Sequence, residues 1–309
     1  MANLVFALST GFLGIIFIIL TSDNQPLLAA GQQTQTNFSF GWEDEYFYFL
    51  FQERSWPDGL IWFDVDPTFS PRVKTAINYA INYINNHPDL CIKWLQRYPY
   101  RFDSNGSSWV SFINYNDTSR TTCNSWINRR GGQQFIKLGI NCVKDKLLIT
   151  DKALLLEATV LHEMGHAMGL VHEQTRPDRD CYIYVSPSLA TKLKYKRNPS
   201  FAYTSQFPYD YRSIMHYESY NLRNFRAHDN AARKLGRGDP TLSELDVHRL
   251  SHLYCGRKSY CEEHNNCATL YDFAKTNPKC WRKGPVYATD PPFIELGSQE
   301  HGEEIDIKE

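Results

Sequence analysis

Apolar residues recur at helical spacing directly after a serine and proline pair in the first third of the chain. Ser70 followed by Pro71 is typical of a helix N-cap and first helical position. The apolar positions that follow lie three or four residues apart and end before Pro88; they are Val73, Ile77, Ala80, Ile81 and Ile84. This spacing predicts an amphipathic helix whose apolar stripe faces the core.

Three shorter apolar segments are typical of β-strands. Residues 60–65 follow a Trp-Pro-Asp-Gly turn, and residues 109–115 and 133–138 are separated by a pair of glycines. All three precede the longest apolar helix pattern of the chain. The first half therefore combines helices with a sheet, so we predict an α+β fold.

The second half contains few long periodic segments and many Tyr, Asn and Pro residues, which indicates a loop-rich structure. One exception lies at residues 243–254, where apolar residues recur along one helical face. Ser243 with Asp246 three residues later is a capping signal. We predict a final helix over this stretch.

The candidate chemistry lies on the long apolar segment that begins near residue 153. His162 and His166 are four residues apart in a stretch rich in Leu, Ala, Glu and Met, which favours a helix. Residues at this spacing lie on one helical face, so both imidazoles can reach one metal ion. Nitrogen ligands suit Zn²⁺, and the prediction is one zinc ion per chain.

Gly169 and His172 extend this pattern to a third ligand. A glycine can adopt the left-handed conformation that ends a helix, and the chain can then turn back and bring His172 to the same ion. Three protein ligands leave one coordination position for water. Glu163 follows the first histidine and is placed to accept a proton from that water. The pattern therefore indicates hydrolytic chemistry.

The ends of the chain differ in composition from its centre. Residues 4–20 form an almost unbroken apolar run, typical of a secretory signal peptide over residues 1–22, with cleavage as late as residue 30 as an alternative. An uncleaved signal anchor in a membrane is the other interpretation. Residues 23–54 are a short propeptide and lead-in, and residues 257–309 are a cysteine-containing tail ending in an acidic segment predicted to be disordered.

Cysteines and candidate glycosylation sites support an extracellular location. Eight cysteines occur without CxxC pairs, so with a signal peptide we expect disulfides. Asn37, Asn105 and Asn116 are candidate glycosylation sites. A formal net charge of −1 gives no indication of a nucleic-acid partner. We expect no stable membrane association after signal removal.

A second motif identifies a resemblance. SIMHY at residues 213–217, together with HEMGHAMGLVHE at residues 162–173, resembles the astacin family of secreted zinc metalloendopeptidases, in the metzincin clan. The likeness covers residues 56–255, and it implies a metzincin-like catalytic domain over residues 55–256 that cleaves peptide or protein substrates as a zymogen-derived enzyme.

The resemblance also implies roles for individual residues. Met215 would lie beneath the zinc site, and Tyr217 would be an additional zinc ligand whose phenol can swing away and stabilise the oxyanion of the transition state. Glu173, next to the third histidine, would contact the newly freed amino terminus through water. The family's aspartate switch is not clearly present in FSFGWED, so Glu43 or Asp44 is a candidate for that role.

By the same likeness, Cys91 pairs with Cys255 and Cys123 with Cys142. Four cysteines remain, and we expect Cys181 to pair with one of three tail cysteines while the other two join each other. These three are Cys261, Cys267 and Cys280. The alternative is a free, buried Cys181.

Two classes of function are compatible with the chain: an active zinc endopeptidase, and a catalytically silent secreted protein that keeps the fold for binding. A decayed enzyme usually loses a ligand or the general base. All three histidines, Glu163 and Tyr217 are present, which favours the enzyme.

Overall fold

The computed structural model describes residues 54–97, 108–115, 122–139, 155–197, 206–218, 224–228, 235–236 and 239–267. The predictions for the signal peptide, the propeptide with Glu43 and Asp44, the three glycosylation sites, Cys142, Cys280 and the acidic tail concern residues outside this part of the chain. Within the described residues, no helix has the length and apolar character needed to span a membrane.

A five-stranded sheet forms the first half. Its strands are β1 (Leu60–Val65), β2 (Lys93–Gln96), β3 (Ser108–Tyr115), β4 (Asn124–Ser125) and β5 (Gly132–Gly139). The order is β2-β1-β3-β5-β4, and every neighbouring pair is parallel except β4 with β5. The three predicted strands, β1, β3 and β5, are confirmed. The other two were not predicted, because strands of four and two residues show little periodicity.

Helix α1 (Pro71–Asn85) packs against the sheet. The Ser70 hydroxyl accepts a hydrogen bond from the Val73 amide at 3.4 Å, which caps the helix as predicted. All five residues of the predicted apolar stripe are buried. Arg72 on this helix donates two hydrogen bonds, of 2.6 and 2.8 Å, to the carboxylate of Glu157. This bidentate pair connects α1 to the next helix.

Helix α2 (Leu155–Ala167) is buried on all sides from Leu156 onwards. It contacts α1, β4 and β5, and its residues share one core with the sheet. Trp56, before β1, donates a hydrogen bond from Nε1 to the carbonyl of Ala167 at 2.8 Å. A helix enclosed on every face is held firmly, so side chains along it have fixed positions.

The second half is irregular, as expected. Strands β6 (Ile183–Val185) and β7 (Phe225–Ala227) form an antiparallel pair, and α3 (Pro187–Ala190) is one turn long. Helix α4 (Glu244–Tyr254) begins with a complete capping box between Ser243 and Asp246. A further short helix, α5 (Tyr260–Glu263), was not predicted.

Candidate metal centre

Three histidines converge at the end of α2. His172 Nε2 lies 3.1 Å from His162 Nε2 and 3.2 Å from His166 Nε2. Two nitrogens bound to one tetrahedral Zn²⁺, each at about 2.0–2.1 Å, are separated by about 3.3–3.4 Å. The three residues are also the group of potential metal ligands found among the described residues. Their spacing fits a single zinc ion.

The opposite ring nitrogens set the tautomers. Nδ1 of His162 lies 2.8 Å from the carbonyl of Ile214, and Nδ1 of His166 lies 2.8 Å from the carbonyl of Leu170. A carbonyl oxygen accepts only, so each Nδ1 carries a proton and each Nε2 presents its lone pair. Burial, followed by the charge of His162, lowers the pKa of His166 to about 3. Burial also holds the pKa of His172 well below its ordinary value. Neutral imidazoles are the form that binds metal.

Gly169 ends the helix with the expected backbone conformation, at a φ of +106°. Its amide donates a hydrogen bond to the carbonyl of His166 at 2.8 Å, and the amide of Leu170 donates one to the carbonyl of Gly165 at 2.9 Å. This is the Schellman pattern. Because the carbonyl of Leu170 also accepts from the His166 ring, the turn that redirects the chain towards His172 also orients the second ligand.

The loop carrying Met215 lies under the triad and is held by α4. Asp246 accepts hydrogen bonds from the Ser213 hydroxyl at 2.6 Å and the Ile214 amide at 2.8 Å. Ile214 is the residue whose carbonyl orients the His162 ring. Met215 is buried, and its sulfur lies so close to Gly165 that a Cβ there would be 2.8 Å away. The floor of the site is thus packed directly against α2.

Glu173, next to the third ligand, is buried in a cluster of charges. One of its oxygens accepts from Arg176 at 3.0 Å, from Arg249 at 2.9 Å and from the Asp210 amide at 2.7 Å. Burial alone would raise the pKa of Glu173, but the charges of the two arginines outweigh it and the pKa is lowered. The resemblance implied a water-mediated contact of this glutamate with an amino terminus. That contact stays a prediction, and the three donors named above come from within the folded chain.

The two predicted catalytic residues are each next to a metal ligand, Glu163 in the chain and Tyr217 through ring packing. Glu163 follows His162 on α2 and is buried. Tyr217 is half-buried, with its ring centroid 4.9 Å from that of His172. Its amide donates to Gln174 Oε1 at 3.1 Å, and its ring lies edge-on to Tyr195 with centroids 5.7 Å apart. All the candidate residues of the two motifs therefore meet at one place.

Several residues of this site were not found from the sequence. The sequence indicated no role at the site for four residues that contact it, although one of them, Asp246, was noted as a helix cap. The four are Arg249, Asp246, Gln174 and Tyr195. Nε2 of His216, in the second motif, lies 2.8 Å from the Tyr209 hydroxyl. No signal in the sequence marks Arg249, because its burial is known only from the folded structure.

The disulfides support the region around the site. The structure joins Cys91 to Cys255, the pairing that the resemblance implied, so the end of α4 is tied to the sheet half. Cys261 pairs with Cys267 within the tail. Cys123 and Cys181 are also disulfide-bonded, and none of the described cysteines is free.

Comparison with known proteins agrees with this geometry. The family model for astacin, a family of peptidases, matches residues 50–255. The zinc metalloproteinase nas-39 of Caenorhabditis elegans is 31% identical over 215 residues, or 66% of this chain, and bone morphogenetic protein 1 of Xenopus laevis is 32% identical over 170 residues, or 53%. The matched part is 21% of the length of each relative.

A solved structure supports the same conclusion. High choriolytic enzyme 1, a hatching enzyme zinc-protease from the medaka Oryzias latipes, superposes with a TM-score of 0.50 at 25% identity and covers 66% of this chain and 94% of that one. The family model spans well over half of the chain and includes all three converging histidines. The chain therefore belongs to the astacin family, with the metzincin-like α+β fold and the zinc dependence that the family has.

Proposed function

We propose that the protein is a secreted zinc-dependent endopeptidase that hydrolyses peptide bonds in peptide or protein substrates. The observation that supports this most directly is the convergence of three imidazoles, with Nε2 of His172 3.1 and 3.2 Å from the other two, beside a buried glutamate on the helix that carries the first two. A structural zinc site would fill the fourth position with another Cys or His. The potential ligand group among the described residues has three histidines alone.

The chemistry divides between the metal and the chain. A zinc ion held by the three histidines would act as a Lewis acid, which lowers the pKa of a bound water molecule and polarises a carbonyl. Glu163 accepts the proton of the attacking water and then donates it to the leaving amine. Glu163 is buried on α2 directly after the ligand His162, so its backbone has a fixed place beside the site.

Tyr217 contributes on the other side of the site. Its ring packs against His172 and Tyr195, and its backbone is held by Gln174. From this position the phenol O–H can donate a hydrogen bond to the oxyanion that develops on the substrate carbonyl. We assign Tyr217 mainly to the transition state, since three histidines already complete the usual catalytic ligand set.

The substrate is proposed to lie along β4. This strand ends the sheet order, so among the described strands one of its edges is unpaired. The residues after β4 contact the end of α2, because the amide of Asn128 bonds the carbonyl of His166 at 2.9 Å. An extended peptide adding to this edge would pass the metal ligands with its backbone hydrogen-bonded.

Secretion and processing are part of the same proposal. The apolar run at residues 4–20 supports a signal peptide, and the bonded state of all six described cysteines supports an oxidising compartment. We propose removal of residues 1–22 and then of a short propeptide that ends near residue 54, which leaves the domain over residues 55–256 and the tail.

Cleavage of a peptide library by the purified, zinc-loaded protein tests the function. We expect internal peptide bonds to be cut, activity to be lost on chelation and restored by zinc, and Glu163→Ala to retain zinc while losing hydrolysis by several orders of magnitude. A zinc-loaded, processed and folded protein that leaves every peptide intact would contradict the proposal.

A further inference from the structure

A buried arginine of α4 reaches the segment that carries the third histidine. Arg249 donates from Nη2 to the carboxylate of Glu173 at 2.9 Å and to the carbonyl of Pro208 at 3.2 Å. Arg249 and Glu173 are each about 1% exposed. In this low-dielectric setting a charged hydrogen bond is strong, and its loss would leave the buried carboxylate with one arginine in place of two.

The two acceptors belong to different segments. Glu173 directly follows the ligand His172, whereas Pro208 precedes the loop that ends at Tyr217. The amide of Glu173 also bonds the carbonyl of Met215 at 3.3 Å. Arg249 therefore bridges the segment that holds the third ligand and the segment that holds the proposed oxyanion donor.

The other arginine of the cluster, Arg176, lies on the Glu173 segment and not on α4. Arg176 forms a bidentate pair with Asp178, at 2.8 and 2.7 Å, besides its contact with Glu173. It also donates to the carbonyls of Pro208 at 2.9 Å and Phe207 at 3.0 Å, so it joins the Glu173 segment to the Pro208 segment from within the Glu173 segment itself. Arg249 supplies the link to α4, whose end is tied to the sheet half by Cys91–Cys255.

We propose that Arg249 is a positioning residue for the metal centre: it sets the distance between His172 and Tyr217 by holding both of their segments to α4. The catalytic part of this inference rests on the proposed endopeptidase function, but the part concerning zinc does not. Outer-shell partners of metal ligands affect metal affinity or activity by about 10- to 100-fold when they are replaced.

The test compares Arg249→Gln, which removes the charge but keeps a donor, with Arg249→Lys, which keeps the charge but has a single ammonium in place of the planar fork. Zinc dissociation from the holoprotein into a chromogenic chelator is measured first. We expect it to be about 10- to 100-fold faster in Arg249→Gln and intermediate in Arg249→Lys. On peptide substrates, kcat per bound zinc should fall in the same order while KM changes little.

Arg72→Gln is the matched control. It removes a bidentate arginine pair with α2 that lies outside the cluster around Glu173. A purely structural role for Arg249 predicts a lowered melting temperature with wild-type zinc dissociation, as expected for Arg72→Gln. The proposal is overturned if Arg249→Gln releases zinc at the wild-type rate, or if Arg72→Gln accelerates release equally.

Two further outcomes are informative. If Arg249→Gln does not fold, Arg249→Lys decides, because a wild-type zinc dissociation rate in that variant refutes the positioning role. If the wild-type holoprotein cleaves no peptide, the endopeptidase proposal fails while the zinc measurement still tests Arg249.

Discussion

Replacing Gly165 with alanine should destabilise the protein, although the same change in an ordinary helix stabilises it. Gly165 is in the interior of α2, where alanine is favoured over glycine by about 1 kcal/mol. However, a Cβ at this position would lie 2.8 Å from the Met215 sulfur. Favourable contacts of this kind lie at about 3.5–4.0 Å, so the sulfur must move by about 1 Å.

The size of the destabilisation depends on how little space surrounds the Met215 side chain. Met215 is 1% exposed, and its side chain is enclosed between α2 and the loop beneath the ligands. Overpacking a buried site costs about 1–3 kcal/mol. After subtracting the helix gain of about 1 kcal/mol, Gly165→Ala should lower the free energy of unfolding by up to about 2 kcal/mol. For a domain of this size, that is a fall in melting temperature of up to about 8 °C.

A double-mutant cycle with Met215→Ala isolates the contact. In that background the sulfur is gone, so Gly165→Ala should be neutral or stabilising by up to about 1 kcal/mol. The coupling free energy should then equal the overpacking cost, about 1–3 kcal/mol. Calorimetry of the four zinc-saturated proteins measures it. An increase in melting temperature for Gly165→Ala with Met215 present, or additive effects of the two changes, would refute this reasoning.

Three further predictions follow from the site and its disulfides. Tyr217→Phe should keep zinc, measured by metal analysis, while kcat falls about 100-fold through loss of one oxyanion donor; an unchanged kcat with a raised KM would count against the role. In the metal-free protein, the folded-state pKa values of His166 and His172 lie below the unfolded value of about 6.5, so the unfolded state binds more protons below that pH. Stability should therefore fall as the pH drops below about 6.5, by up to about 1.4 kcal/mol per pH unit for each histidine; a flat denaturant-midpoint profile between pH 6.5 and 5 contradicts this. Non-reducing peptide mapping should join Cys181 to Cys280, since the other two tail cysteines are bonded to each other; recovery of Cys181 as an alkylated free thiol would exclude the bond.

Local patterns in the sequence were sufficient to place the main elements. Helix α1 begins with the predicted serine cap, α4 begins with the predicted capping box, and the three longest strands lie where alternating or apolar runs were found. The ligand helix and the left-handed glycine that ends it were also predicted. Each of these depends on residues within about one or two helical turns of one another, and the sequence displays such relations directly.

The tertiary structure decided how distant segments meet. Folding set the parallel order of the sheet and the edge position of β4. It also formed the cluster of Glu173, Arg176 and Arg249, whose members are up to 76 positions apart. A buried arginine on a helix looks like any other basic residue until its carboxylate partner is brought to it by folding. The sequence alone determined which chemical groups bind the metal, because their spacing is local. Which groups hold those ligands in place was determined only by packing, since their contacts depend on the arrangement of the whole domain.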